Sequence, residues 1–516
     1  MIAADGSEEI RDGDIIAGAD LGSNSFHLIV ARYERGEIRV IDRLRETVRL
    51  AAGLRSDGTL SREHREIAFA CLAQFGQRIS GLRPSHVRAV ATNAVRRLAH
   101  PQAFLLPAET ALGHPIEVVS GREEARLIYQ GVAHGLPLSD NKRLVVDIGG
   151  GSTEFIIGRG FDALERESLQ VGCIVSTKRF FDDGKLTIDR WRQAVSEISI
   201  ELQQFGAHYR ERGWSEAIGS SGTAKAIGSV IVANGWSDQG ITSAALRNMR
   251  EALLDAGHVD AIHLDGLPKD RVGIIAGGMV IMEALFKTLD LERMSVCDTA
   301  MREGLLYDLL GRATQKDPRH TSIEALADRY GVDQAQAQRI RATADALFSQ
   351  VAASWNLEPV ARDFLDWSAH VHEIGLAIAH SQYHIHGAYI IANSDLAGFT
   401  RQGQQLLATI VRSHRRRPNA ESLRNLPQRM QPNAQRVTAL LRLAILLHRS
   451  RADVQLPPLR LSASGESLTL ELPRTWLEQH PLTRVDLEQE RESLKQIDIT
   501  LQVVKVDSAA LVSPVS

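Results

Sequence analysis

The apolar and polar positions of this chain follow two rhythms. Up to about residue 313, short apolar runs of strand length alternate with longer stretches of helical period. From Thr314 to Ser450 the helical period persists alone, and from 456 to 507 short alternating stretches return. Two of the strand-like runs share one design. Ile15–Ala19 and Leu144–Val146 each lead into an aspartate, Asp20 or Asp147, and then a glycine-rich turn, after which a second apolar run begins. Strand, aspartate, Gly-rich turn and strand, written twice, predict two related lobes facing one ligand.

The intervening pattern fills in the lobes. Ser61–Gly81 has a helical face of Ile67, Cys71, Leu72 and Phe75, and Val87–Thr92 is a strand turning through Asn93–Arg97 into a helix. Ile116–Val119 is a further strand. Ser120 then caps a helix, with Glu123 placed to complete a capping box. Ile188–Arg212 is amphipathic, and Trp214–Gly219 is a strand running into Ser220-Ser221-Gly222-Thr223. Asp270–Phe286 is helical with Gly277-Gly278 inside it, a mark of close packing or of a hinge. Leu459–Leu461, Leu468–Leu472 and Ile497–Leu501 predict a small terminal sheet. The expected division is a leader at 1–14, lobe I at 15–138, lobe II at 139–313, a helical domain at 314–452 and a small α+β domain at 453–516 with a frayed end.

Composition narrows the class. The chain has 516 residues, 44% hydrophobic and 24% charged, with a net charge of -3. Such a balance does not advertise a polyanion partner, nucleic acid included, and any basic surface must be local. The acidic start lacks the order of a signal peptide, and the apolar tract Val272–Phe286, broken by glycines and Glu283, reads as too short to cross a bilayer. Three cysteines, Cys71, Cys173 and Cys297, show no metal-ligand spacing and read as buried thiols in a reducing cytosol. The expected location is cytoplasmic, with membrane association peripheral at most.

The candidate chemistry lies in the turns. Gly22, Ser23, Asn24 and Ser25, and later Gly149, Gly150, Gly151, Ser152 and Thr153, can turn successive N–H groups inward around an oxyanion. Asp147 and Glu154 flank the second turn and would repel a phosphate unless a divalent cation, most simply Mg2+, sat between them. A turn with glycines for geometry alone is the alternative. Arg96, at a strand-to-helix junction, is a candidate phosphate clamp. Glu124, next to the capping Glu123, stands where a general base for water would be placed. Ser221, Gly222 and Thr223 form a third candidate anion or nucleotide contact. Downstream, His370, His372-Glu373, His380, His384, His386 and Asp395 make a metal site thinkable, against a helical bundle with hydrogen-bonded histidines. His414-Arg415-Arg416-Arg417 is either a solvated face or a phosphate contact.

Four motifs in order then carry a resemblance: Asp20-Leu21-Gly22-Ser23-Asn24-Ser25-Phe26, Ser120-Gly121-Arg122-Glu123-Glu124-Ala125, Asp147–Glu154 and Ser220-Ser221-Gly222-Thr223. Together they resemble the exopolyphosphatase / guanosine pentaphosphate phosphatase family over nearly the whole chain. The resemblance implies an α/β, actin-like (ribonuclease H-like) two-lobed half with its site in the cleft. It also implies a helical region related to His-Asp metal-dependent phosphohydrolases. This chain has His372-Glu373 where those enzymes have His-Asp, and Gly277-Gly278 where many relatives have Pro-Gly. On this reading the two turns hold phosphates, and Mg2+ is held by Asp147 and Glu154 with Asp20. A monovalent cation such as K+ is a second cofactor candidate. Glu124 activates water, and His414–Arg417 belong to a polyphosphate track. The expected substrates are inorganic polyphosphate or guanosine penta- or tetraphosphate, and the expected assembly is a homodimer.

Overall fold

The computed structural model describes residues 10–34, 37–137, 139–238, 240–313, 317–451 and 456–507. They form two compact units that meet in sequence at Asp317 and Pro318. Residues 1–9 of the expected leader and the expected frayed end from 509 lie outside the described residues. Residues 10–14 are not a free leader. Ile10 is buried beside Ile16 and Leu306, Gly13 N donates to Tyr33 O at 2.7 Å, and Tyr33 N donates to Asp14 O at 2.9 Å.

The first unit holds two sheets. One contains β1 (Ile15–Leu21), β2 (Phe26–Glu34), β3 (Glu37–Glu46), β4 (Val87–Ala91) and β5 (Ile116–Val118), in the order β3-β2-β1-β4-β5. The other contains β6 (Lys142–Ile148), β7 (Thr153–Arg159), β8 (Asp162–Leu169), β9 (Glu216–Ser220), β10 (Ile241–Thr242) and β11 (Arg293–Val296), in the order β10-β11-β9-β6-β7-β8. Apart from the short edge strand β10, the two sheets have the same plan. An antiparallel meander of three strands is joined, through its first strand, to two parallel strands. This duplicated order is that of the actin-like two-lobed fold. Buried on both faces, Leu144–Val146 of β6 reads as a continuous apolar run rather than an alternating one.

The helix Gly121–Gly135 is shared between the sheets. Its Leu127, Ile128 and Val132 join one apolar cluster with Val90 of β4 and with Val145, Ile156 and Ile218 of the second sheet. It lies against the helix Met301–Ala313 so closely that a Cβ on Gly131 would strike Ala300 O, and one on Gly304 would strike Leu127 O. The pair Gly277-Gly278 serves close packing too. A Cβ on Gly277 would meet Cys173 O and Thr177, and one on Gly278 would meet Thr223 Cγ2. The expectation that this tract is too short for a bilayer needs correcting. Lys269–Ile274 extends the helix Ile275–Leu289 to 21 residues, long and apolar enough by length and composition to cross a membrane, yet most of it is buried inside the unit. In the helix Arg62–Ile79, Cys71, Leu72 and Phe75 are buried as expected, whereas Ile67 is exposed.

The second unit, from Pro318, is helical and carries β12 (Arg460–Ser464), β13 (Ser467–Pro473) and β14 (Thr500–Val506) in one sheet. Leu461, Leu468, Leu470 and Leu501 of this sheet share a single apolar core with Ile340, Leu347, Trp367 and Leu440 of the helices. Trp355 Nε1 also donates to Gly465 O at 2.7 Å. The helical and terminal segments therefore form one compact unit, where the sequence suggested two.

Replacing Gly304 by Ala places a methyl group on the Leu127 carbonyl and forces the two helices apart. We expect a loss of about 1–3 kcal/mol, measured as a shifted urea midpoint. An unchanged midpoint would show that the contact is looser than described.

Candidate active site

The site is built at the ends of β1 and β6, where both chains leave their sheets. Asp20 pairs in register with His27 of β2 and Val90 of β4. Asp147 pairs with Glu154 of β7 and Ser220 of β9. The two aspartates are thus equivalent in the duplicated plan, and the position that holds Glu154 in one lobe holds His27 in the other.

Each turn is tied back by its carbonyls. Arg49 N donates to Asn24 O at 2.7 Å and Ala51 N to Ser23 O at 2.9 Å. In the second turn Cys173 N donates to Gly149 O at 2.9 Å and Ile174 N to Gly150 O at 3.0 Å, docking the helix Cys173–Phe180. With these carbonyls engaged, the amides of Gly150 and Gly151 find no backbone acceptor among the described residues and are left for a ligand oxyanion. The turns also touch. A Cβ on Gly151 would lie 2.6 Å from Asn93 Oδ1 and 3.0 Å from Ser23 Oγ, so glycine is needed there for close approach.

These loops line one cavity of about 240 Å³, together with Asp20, Glu124, Asp147, Glu154, Ser221 and Gly222. Glu124 projects from the first turn of its helix. Ser120 Oγ caps that helix by accepting from Glu123 N at 3.2 Å. The reciprocal half of the expected capping box is missing, because the Glu123 carboxylate accepts from Arg126 at 2.9 and 2.8 Å. That pairing leaves the next residue, Glu124, to the cleft.

Four carboxylates in one cleft create the dominant electrostatic feature. Burial raises Asp20 to about 7, with Glu124 and Asp147 adding to the shift. Burial also raises Asp147, against the Ser220 hydroxyl that donates to its Oδ2 at 2.6 Å. Glu154, 1% exposed, is raised by burial and by the charges of Glu124 and Asp147, although Ser168 donates to it at 2.8 Å. Asp20 Oδ1 is buried without a hydrogen-bond partner. An orphaned carboxylate oxygen amid three further acids fits a hard cation with oxygen ligands. Among the described residues no three metal-ligating side chains are already gathered around one point.

Several expected contacts are placed differently. Arg96 does not line the cavity. Its Nη1 donates to Glu124 Oε2 at 2.8 Å and to Val119 O at 2.9 Å, so it holds the acid rather than standing free as a phosphate clamp. Thr153 begins β7, and its hydroxyl is committed to Val171 O at 2.5 Å, away from the cavity. Thr223 is buried behind Ser221 and Gly222 and does not line the cavity. His414–Arg417 belong to the second unit. His414 is 3% exposed and cannot form part of a surface track, and Arg417 donates to Gln496 at 2.6 Å.

The sequence model of the Ppx/GppA phosphatase family matches residues 29–313, and that of Ppx/GppA phosphatase domain III matches 319–491. The chain belongs to the Ppx/GppA phosphatase family. The fold is similar to that of an exopolyphosphatase from Cytophaga hutchinsonii ATCC 33406 (23% identity, TM-score 0.52), covering 58% of this chain and 98% of that one. It is likewise similar to an exopolyphosphatase-like protein (22% identity, TM-score 0.52), covering 58% of this chain and 99% of that one.

In this family member the cleft also has cations that sequence reasoning missed. Arg45, Lys225, Arg271 and Arg302 line the cavity beside His27. Arg45 stands opposite His27 in the register of β2 and β3, which brings it to the site. Arg271 lies against the Gly222 backbone, and Lys225 follows one turn later on the helix Ser221–Ala233. His27 is lowered to about 3 by burial and by Arg302, so its imidazole is neutral, in contrast to the acid at the equivalent position of the other lobe.

The raised Asp20 sets a pH dependence. A carboxyl whose folded pKa lies above its unfolded value binds a proton on folding, so its contribution to stability is present below about 3.8 and lost as pH rises through about 7. In chelator at pH 8, Asp20→Asn should be more stable than the parent, by on the order of a few kcal/mol at most. The advantage should vanish near pH 4. Thermal melts at the two pH values check this, and an equal effect at both would refute it.

Proposed function

We propose that the protein is an exopolyphosphatase, removing terminal orthophosphate from inorganic polyphosphate by attack of a water activated by Glu124. The observation that supports this most directly is the placement of Glu124 in the same cavity as both amide-presenting turns and three further carboxylates. Glu124 takes the proton of the attacking water while the oxygen bonds to the terminal phosphorus. The bridging P–O bond breaks, and the shortened chain leaves. Arg96 keeps the carboxylate of Glu124 in one orientation through the whole step. The amides of the two turns, with Arg271, Arg302 and Lys225, carry the charge spread over the phosphoryl oxygens, the main lever in this class of reaction. Asp20, Asp147 and Glu154 would hold Mg2+, which when bound neutralises phosphate charge that these acids would otherwise repel.

Guanosine pentaphosphate 5′-phosphatase activity is the second reading. Ser221 and Gly222 line the same cavity with Arg271 against their backbone, which offers a contact to a ligand larger than a phosphate chain. A regulator that binds such a nucleotide without hydrolysing it has less support, since it would have no need of Glu124 and its paired Arg96.

Glu124→Gln should lower turnover by about 10²–10⁴-fold with little change in substrate affinity, read by phosphate release and by equilibrium binding. Near-normal activity would exclude Glu124 as the base. Release from long-chain polyphosphate, guanosine pentaphosphate and ATP, compared at equal concentration, ranks the substrates. Polyphosphate is expected first, and pentaphosphate in first place would favour the second reading.

A further inference from the structure

The second unit contains a cavity of about 530 Å³, larger than that of the active-site cleft and within the range of small-molecule sites. Its wall includes His372, His414, Arg415, Arg416 and the apolar Leu376 and Ile445. His372 and His414 are 1% and 3% exposed and stand edge to face with ring centroids 5.4 Å apart. His414 Nδ1 donates to Val411 O at 2.5 Å, and its Nε2 is buried with no partner. Burial and the neighbouring His372 push His414 well below its usual range, so this nitrogen is a neutral acceptor lacking a donor. The acids of the wall are already committed. Glu373 is paired with Arg451, and Glu490 takes two hydrogen bonds from Arg442. Arg415 lies over the Tyr383 ring at 4.8 Å and Arg416 is exposed; neither has a carboxylate partner among the described residues.

We propose that this cavity binds a phosphomonoester of nucleotide size, its phosphate on Arg415 and Arg416, its organic part on the apolar wall, and a donor N–H or O–H on His414 Nε2. Two uncommitted guanidiniums suit the one or two charges of a monoester. A long polyanion would meet Glu373 and Glu490 and would leave the apolar wall and the orphaned nitrogen unused.

The test is hydrogen exchange of the full-length protein with AMP, inorganic phosphate or long-chain polyphosphate as probe. AMP is expected to slow exchange in segments 380–386 and 411–417, and to bind more tightly than inorganic phosphate. Arg415→Gln with Arg416→Gly should weaken AMP binding by about tenfold or more. It should leave the melting temperature unchanged. Arg416 has φ 56°, a conformation glycine adopts freely, so the double variant is expected to fold. Three outcomes would overturn the proposal: protection by AMP confined to segments 20–25 and 147–153, protection of 411–417 by polyphosphate alone, or equal affinity for inorganic phosphate and AMP. Each is read independently of whether the cleft hydrolyses polyphosphate.

Discussion

The mutual repulsion of four carboxylates in one buried cleft is the constraint on which the rest of the site depends. Asp20, Glu124, Asp147 and Glu154 come from separate strands and a helix, yet they line one cavity. Like charges brought together out of water raise one another's pKa values and strain the fold unless something of opposite sign is supplied. Three donors offset part of that repulsion. Hydroxyls of Ser220 and Ser168 donate to Asp147 and Glu154, and Arg96 is committed to Glu124. Among the fully buried carboxylate oxygens of the described residues, Asp20 Oδ1 is the one with no hydrogen-bond partner.

The duplicated sheet plan explains how such a cluster arises without a dedicated scaffold. Each lobe contributes an aspartate at the end of its first strand and a turn whose carbonyls are tied back by a neighbouring segment. Facing the lobes toward one another therefore brings two aspartates and two tied-back turns to one cavity. The lobes diverge at one register position. Glu154 faces Asp147, whereas His27 faces Asp20, and His27 is neutral and surrounded by Arg45 and Arg302. One jaw thus sets a second acid beside its aspartate, and the other sets a neutral imidazole with Arg45 and Arg302 there.

What the sequence made legible follows from how local each signal is. The glycine turns, the terminal aspartates and the capped helix that carries Glu124 are contiguous motifs, and all reach the cavity as expected. Arg96 and Thr153 were assigned by adjacency, but a long side chain and a strand's first residue take their direction from tertiary partners, here Glu124 and Val171 O. Lys225, Arg271 and Arg302 escaped notice for the converse reason: each is a single cation on an otherwise ordinary helix or turn, and only the packing brings them together. The shared core of the helical and terminal segments was equally hidden, since alternation in a strand does not say which helix will cover it.

The helix Gly121–Gly135 links stability to chemistry. Its apolar face belongs to both sheets at once, and its glycine lets the helix Met301–Ala313 approach to backbone contact. Arg302 projects from that second helix and Glu124 from the first, so one close crossing sets the distance between the proposed base and a cation of the phosphate site. Arg88 and Arg126 reinforce the crossing by binding Asp308 of the second helix, and Arg126 also binds Glu123, one residue before the base. A buried ion network of this kind contributes little net stability, because desolvation offsets most of the attraction. Its consequence is geometric. With Glu123 drawn to Arg126 and Glu124 to Arg96, the two adjacent acids are separated in role, one fixing the helix and the other lining the cleft.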